Sequence, residues 1–162
     1  MLLILDASPL IAFYSSIELD DPRLLHSLAT NNHQLMIPQA VFDEIRRGHK
    51  DTLNILLKAI ADAKVTIDTE VSFEETERFV RRHPKLHEGE AQVLLLGLKK
   101  SASGQKYYCI IDETPGRQIA QENKLSLKGT RGLIAYLRGN GIIDGERMAS
   151  LLYRLDHCNF RS

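Results

Sequence analysis

A chain of 162 residues is long enough to bury a sizeable core without disulfides or a structural metal. With 43% hydrophobic and 26% charged residues it is no disordered or low-complexity protein, and 21 basic against 21 acidic side chains leave no net charge to draw it toward nucleic acid or a membrane. Two cysteines, Cys109 and Cys158, show neither CxxC nor Cys/His spacing, which argues against a disulfide scaffold and makes a reducing, cytoplasmic setting the expectation.

The first apolar run, Leu2 to Leu5 (LLIL), is unbroken rather than alternating, as in a strand covered on both faces. No basic segment precedes it and an acid follows at Asp6. It therefore reads as a buried strand entering a helix near Ser8-Pro9, not as a signal peptide. A weaker strand over Gln34 to Ile37 stops at Pro38 and leads into a helix carrying Val41, Asp43, Glu44 and Ile45. Leu53, Leu56, Leu57, Ile60 and Ala61 recur at helical spacing as an amphipathic stripe. Lys64 to Ile67 is a second weak strand. Ser72-Phe-Glu-Glu75 has the form of a capping box and opens a helix through Arg82.

Glu90 to Lys100 is apolar nearly all round, which predicts a central buried helix; Ser101 to Lys106 follows as a flexible-looking loop. Tyr107 to Ile111 (YYCII) is the second unbroken strand, with Cys109 as a small buried hydrophobe, and Leu125 to Leu127 adds a short fifth. Thr130 is placed to cap a helix that ends at Arg138 before Gly139-Asn140-Gly141. Asp144 is placed to cap the last helix, with Met148, Leu151, Leu152 and Leu155 inward. Strands alternating with helices predict a layered α/β domain with a parallel sheet of four to five strands. One unit spans 1–162, its core 1–143 and its terminal helix 144–157. No run reaches the roughly 18 apolar residues of a membrane span.

Both unbroken strands run into acids, LLIL into Asp6 and YYCII into Asp112 and Glu113. Ligands of open α/β sheets sit beyond the carboxyl ends of the strands, so neighbouring placement would turn both carboxylates into one crevice. Like charges that close are tolerated when a cation compensates them or a proton is shared. An all-carboxylate site suits Mg²⁺ or Mn²⁺, which keep waters and accept phosphate oxygens, the chemistry of phosphoryl transfer to water. Further acids are Glu44, off the face that carries Val41 and Ile45, and the pair Glu88 and Glu90 around Gly89. At a helix start the dipole alone also explains an acid. Each acid has a structural explanation singly; the set is harder to explain that way.

Basic residues lie near these acids. Arg46, Arg47 and Lys50 follow Glu44, Arg117 stands one turn beyond Asp112, and Lys128 and Arg131 flank Thr130. They are either phosphate contacts, Arg117 first among them, or solvated helix faces. Of the six histidines only His83 and His87 have ligand spacing, and Pro84 interrupts them, so zinc is not expected. Neither a G-x-S-x-G elbow nor a glycine-rich phosphate loop is present.

Five segments in order carry a resemblance. LLILDASPLI, IPQAVFDEI, LHEGEAQVLLLGLK and IIDETPGRQIA resemble the four acidic motifs of PIN-domain nucleases. LKGTRGLIAYLRGNGII is similar to the Gly-Thr-x-Gly-Leu segment closing the branch near the VapC-like toxins of prokaryotic toxin–antitoxin modules. The resemblance implies a three-layer α/β/α fold and a metal-dependent endoribonuclease using Mg²⁺ or Mn²⁺. It assigns the catalytic, metal-binding acids to Asp6, Glu44, Glu90 and Asp112, with Glu90 preferred to Glu88 by the register of EAQVLLLGL. Ser8, Glu88, Glu113 and Thr130 become accessory residues; Arg117, Arg131 and Lys128 stay the candidate phosphate contacts on their nearness to the acids alone. It also implies an RNA substrate, a homodimer, and an antitoxin that inserts a segment into the acidic pocket. The alternative is a non-catalytic PIN-like module that binds RNA or protein. The chain departs from the pattern at Ala7, where Thr or Ser is common, and at DETPGR, where Pro115 and Gly116 suit a first helical turn only if Pro stands at its start.

Overall fold

In the computed structural model, which describes residues 1–157 and so leaves out Cys158, the run LLIL is buried at every position and forms the centre of the sheet. The elements are β1 (Leu2–Leu5), α1 (Ala7–Tyr14), α2 (Pro22–Thr30), β2 (Gln34–Pro38), α3 (Gln39–Gly48), α4 (Lys50–Ala61) and β3 (Thr66–Asp68). They continue with α5 (Phe73–Arg82), α6 (Glu88–Ala102), β4 (Tyr107–Ile110), α7 (Thr114–Glu122), β5 (Leu127–Lys128), α8 (Thr130–Gly139) and α9 (Gly145–Asp156). The sheet order is β3-β2-β1-β4-β5 and each pairing is parallel, with Leu5 opposite Ile110 and Ile4 opposite Met36.

Parallel pairing requires crossovers, and these are right-handed in nearly all proteins, so connections running in opposite directions along the sheet cover opposite faces. The helices divide accordingly. Helix α1 packs with α2, α4 and α8, whereas α6 lies across β1, β2 and β4 with α5 and α7 beside it; α3 touches both groups. Two covered faces explain why β1 and β4 read as unbroken apolar runs.

Several boundaries differ from the sequence reading for local reasons. Strand β3 starts at Thr66 because the amides of Lys64 and Val65 donate back to the Ala59 carbonyl and close α4. Strand β5 starts at Leu127 because the Leu125 amide likewise closes α7 on Ala120. Helix α2, which the sequence reading did not assign, buries Leu25 and Leu28. Helix α6 runs on to Ala102 and so takes the start of the expected loop; the turn follows at Gly104, whose φ is +74°. The DETPGR segment does open a helix, with Pro115 in the first turn of α7, where its missing N–H costs nothing. Ser72 and Asp144 cap α5 and α9 as expected, accepting from Glu75 N at 3.1 Å and Arg147 N at 2.8 Å.

Helix α6 approaches β4 so closely that a Cβ on Gly97 would stand 2.6 Å from Cys109 Sγ. The thiol donates to the Val93 carbonyl at 3.7 Å, and burial pushes its pKa up to about 12, so it is an inert core group. Gly97→Ala gains about 1 kcal/mol of helix propensity. It also forces helix and strand apart, at a cost of about 1–3 kcal/mol. The expected result is a net loss of stability in urea unfolding; a raised midpoint would refute the close approach.

Candidate active site

The direction of the crossovers reverses between β1 and β4, and the place beyond the strands' carboxyl ends at such a reversal is where open α/β sheets bind ligands. Asp6 and Asp112 leave the sheet at this point. The Asp6 amide donates to Ile110 O at 3.1 Å, which extends the β1–β4 pairing by one residue and fixes the Asp6 backbone beside the end of β4. Asp6 occupies the N-cap position of α1, yet its side chain makes no capping bond to the helix. Its carboxyl instead meets the Ala7 amide, the first of the helix.

Three other elements bring carboxylates to Asp6. Helix α3 carries Glu44 inward and turns Asp43 away, toward Gln39 at 3.1 Å and Arg46 at 3.3 Å. The first turn of α6 carries Glu90. Its neighbour Gly89 is a marker of the geometry: a Cβ there would lie 3.5 Å from both Asp6 Oδ1 and Glu44 Oε2. Glu113, N-cap of α7, approaches from the fourth side. Asp6 is 4% exposed and Glu90 2% exposed, while Glu88 faces solvent. Burial holds the Asp6 carboxyl well above the usual carboxylate range; the Ala7 amide opposes this, and Glu90, Glu44 and Glu113 push the same way as burial. The Glu90 carboxyl is raised too, first by burial, against a hydrogen bond from the His87 amide, with Glu113 and Glu44 adding to the rise.

Glu90 Oε1 accepts from the His87 amide at 3.3 Å, but Oε2 is buried without a hydrogen-bond partner. That oxygen lies where a side chain at Gly116 would be, 2.7 Å from an ideal Cβ. The glycine in DETPGR thus has a reason: α7 can pass over the Glu90 carboxylate only without a Cβ at that position.

Asp112 is held differently. Thr130 donates to it twice, from its amide to Oδ1 and from its hydroxyl to Oδ2, both at 2.6 Å. The expectation that Thr130 caps α8 is corrected here. The N-cap is Gly129, with no side-chain cap, and it is Asp112, from another element, that receives the first amide of the helix. A carboxylate is favoured at a helix N-terminus by the dipole as well as by the bond.

The basic residues are placed unevenly. Arg117 donates from Nη1 to Ile111 O at 2.9 Å, and with Asp112, Lys128 and Arg131 it lines a cleft of about 480 Å³. Lys128 Nζ stands over the Tyr108 ring at 4.5 Å and the Tyr136 ring at 5.5 Å. Arg131 pairs with Asp156 of α9. Ser8 is half-buried in the first turn of α1, whereas Arg46, Arg47 and Lys50 are exposed, two at the end of α3 and one at the start of α4.

Two further residues shape the site. Gln92 is buried and joins three helices: its Oε1 accepts from Ala40 N at 2.9 Å and its Nε2 donates to Thr76 Oγ1 at 3.0 Å. It thereby satisfies an amide at the start of α3, where Pro38 cannot cap, and holds the helix that carries Glu44. His87 is the N-cap of α6 and reaches Glu113, Nε2 to Oε2 at 3.9 Å. A signal for Gln92 was absent from the apolar stripe around it. For His87 the signal was its place three residues before Glu90, the spacing of a capping box.

A family model described as a PIN domain matches residues 2–162. The chain belongs to the PIN-domain family. The match takes in all five resembling segments, and the parallel five-stranded sheet flanked by helices is consistent with a PIN-like fold, which is of the nuclease type. No curated protein matches the chain. Among the described residues of this PIN domain, no helix is long and apolar enough to cross a membrane.

PIN-domain nucleases typically use divalent metals, and the donor set here fits that requirement. It is all oxygen in the crevice, it is too negative for its burial, and it contains a buried carboxylate oxygen with no partner.

Proposed function

We propose that the chain is a metal-dependent endoribonuclease in which Asp6, Glu44, Glu90 and Asp112 hold one or two Mg²⁺ or Mn²⁺ ions. The observation that carries this reading is the convergence of buried Asp6 after β1, half-buried Glu44 from α3 and buried Glu90 from α6, with Glu90 Oε2 unpartnered. Glu90 is preferred to Glu88 because it is the buried member of the pair. A divalent cation bound there supplies Lewis-acid activation of water and neutralises charge on the phosphate.

The chain's own groups do the rest. Burial raises the pKa of both Asp6 and Glu90, and Glu90 adds to the rise at Asp6, so a cation binding there competes with protons. Thr130 locks the Asp112 rotamer, and the hydrogen bond to Ile111 O sets the guanidinium of Arg117 beside Asp112. In the adjoining cleft Arg117, Lys128 and Arg131 offer positive charge to the phosphates flanking the cut. Glu113 joins the acids, with Ser8, half-buried in the first turn of α1, and the exposed Glu88 as accessory residues.

RNA rather than DNA as substrate, action as the toxin of a type II toxin–antitoxin module, a homodimer and an antitoxin partner are supported by the resemblance of the GEA and GTRGL segments to the VapC-like branch, and a cytoplasmic setting by the lack of a disulfide pattern in the two cysteines. The purified chain should cleave single-stranded RNA internally with Mn²⁺. Chelator should stop the cleavage, and Asp112→Asn should lose it while keeping native circular dichroism. Full activity in Asp112→Asn, or cleavage undiminished by chelator, would overturn the reading.

A further inference from the structure

The mouth of the acidic crevice carries a donor that the family's acids do not supply. His87, Glu90 and Glu113 each offer one ligand atom, and these atoms all lie within 4.8 Å of one another. The residues come from separate places: His87 is the N-cap of α6, Glu90 sits in its first turn, and Glu113 is the N-cap of α7. Donors bound to one ion at about 2.0–2.2 Å stand roughly 3–4 Å apart, and His87 Nε2 and Glu113 Oε2 are already at 3.9 Å. The remaining contraction is open to them, because both of those side chains are at least half exposed and reorient easily.

A cluster of this kind on a surface is often only an ion pair of small value. The buried member argues for more. Glu90 is 2% exposed, and its Oε2, lying under Gly116 on the helix that Glu113 caps, has no hydrogen-bond partner. A buried carboxylate oxygen left unpaired costs free energy that a cation would recover. Neither the His87 amide, which serves Oε1, nor the protein groups around Gly116 satisfy it.

From this geometry we infer that His87, Glu90 and Glu113 form a second divalent-cation site, adjoining the first through the shared carboxylate of Glu90. Three protein ligands leave positions open for water or a phosphate oxygen. The imidazole gives the site a selectivity that carboxylates alone lack, favouring Mn²⁺ and Co²⁺ over Mg²⁺. The inference deepens the nuclease reading and rests on it only for the shared ligand Glu90.

Pulsed electron paramagnetic resonance of Mn²⁺ bound to the full chain tests it directly, since the remaining donors of the crevice are oxygens. The wild type should show a nitrogen hyperfine coupling that His87→Asn abolishes and Asp6→Asn retains. By calorimetry, His87→Asn should weaken one Mn²⁺ equivalent at least about tenfold and change Mg²⁺ binding less than about twofold. Asparagine is a competent N-cap, so the variant should fold, as circular dichroism will report. A wild type without nitrogen coupling, or a coupling unchanged in His87→Asn, would overturn the inference. Nitrogen coupling without RNA cleavage would sink the nuclease reading and leave this site standing; cleavage without nitrogen coupling would do the reverse.

Discussion

Asp6→Asn is expected to lower metal-dependent RNA cleavage by on the order of 10³-fold or more while leaving the fold intact. The two expectations come from the same geometry. Asp6 sits at the end of the central strand, 4% exposed, with its amide tied to Ile110 and its carboxylate unused as a cap. The amide side chain has the same shape, so neither packing nor pairing is disturbed. What changes is charge: a ligand is lost, and so is one member of a set of mutually repelling acids. In the metal-free state, removing that repulsion should stabilise the chain by about 1 kcal/mol, or about 2–4 °C in Tm. A variant less stable than wild type without metal would show that the acid has a structural partner. A variant with full activity would remove Asp6 from the site.

The second large effect is a dependence of stability on metal and pH together. Asp6 and Glu90 have folded pKa values raised above their unfolded ones, near 3.9 and 4.3. Between those unfolded values and the raised folded ones, the native state holds protons that the unfolded chain has released. Stability contributed by these groups is therefore present at low pH and is lost as pH rises through the folded pKa values. The groups that face them are Glu44 from α3, His87 from α6 and Glu113 before α7. Subtracting the Asp6→Asn curve from the wild-type curve isolates the Asp6 share. Mn²⁺ at a hundred times its Kd should restore about 2.7 kcal/mol, roughly 5–10 °C in Tm. The gain should be larger at pH 7.5 than at pH 5.5, where the ion must displace protons. Thermal unfolding at both pH values checks this; no shift with Mn²⁺ at pH 7.5 would rule out a metal site here.

Local patterning reached far into this fold. Unbroken apolar runs marked β1 and β4 because strands covered on both faces exclude polar residues, and the acids after them marked the crevice because parallel strands present one end to the ligand. Ser72 and Asp144 declared their helices through capping, which is chemistry between residues three apart. The amino-acid sequence by itself thus determined the α/β class, the order of the main elements and the acids Asp6, Glu44, Glu90 and Asp112 as candidates.

Only the tertiary structure decided how those acids are used. Which acid crowds Asp6 depends on where α3, α6 and α7 meet, so Glu113 lies with Glu90 and Glu44, while Asp112 is drawn to Thr130. The reversal at Thr130, the clearance over Glu90 at Gly116 and the bond from Ala40 to Gln92 all join residues at least eighteen positions apart. Periodicity and capping rules see one turn of chain at a time. The burial that makes a carboxylate expensive, and the neighbour that leaves it unpaired, are supplied by packing between elements.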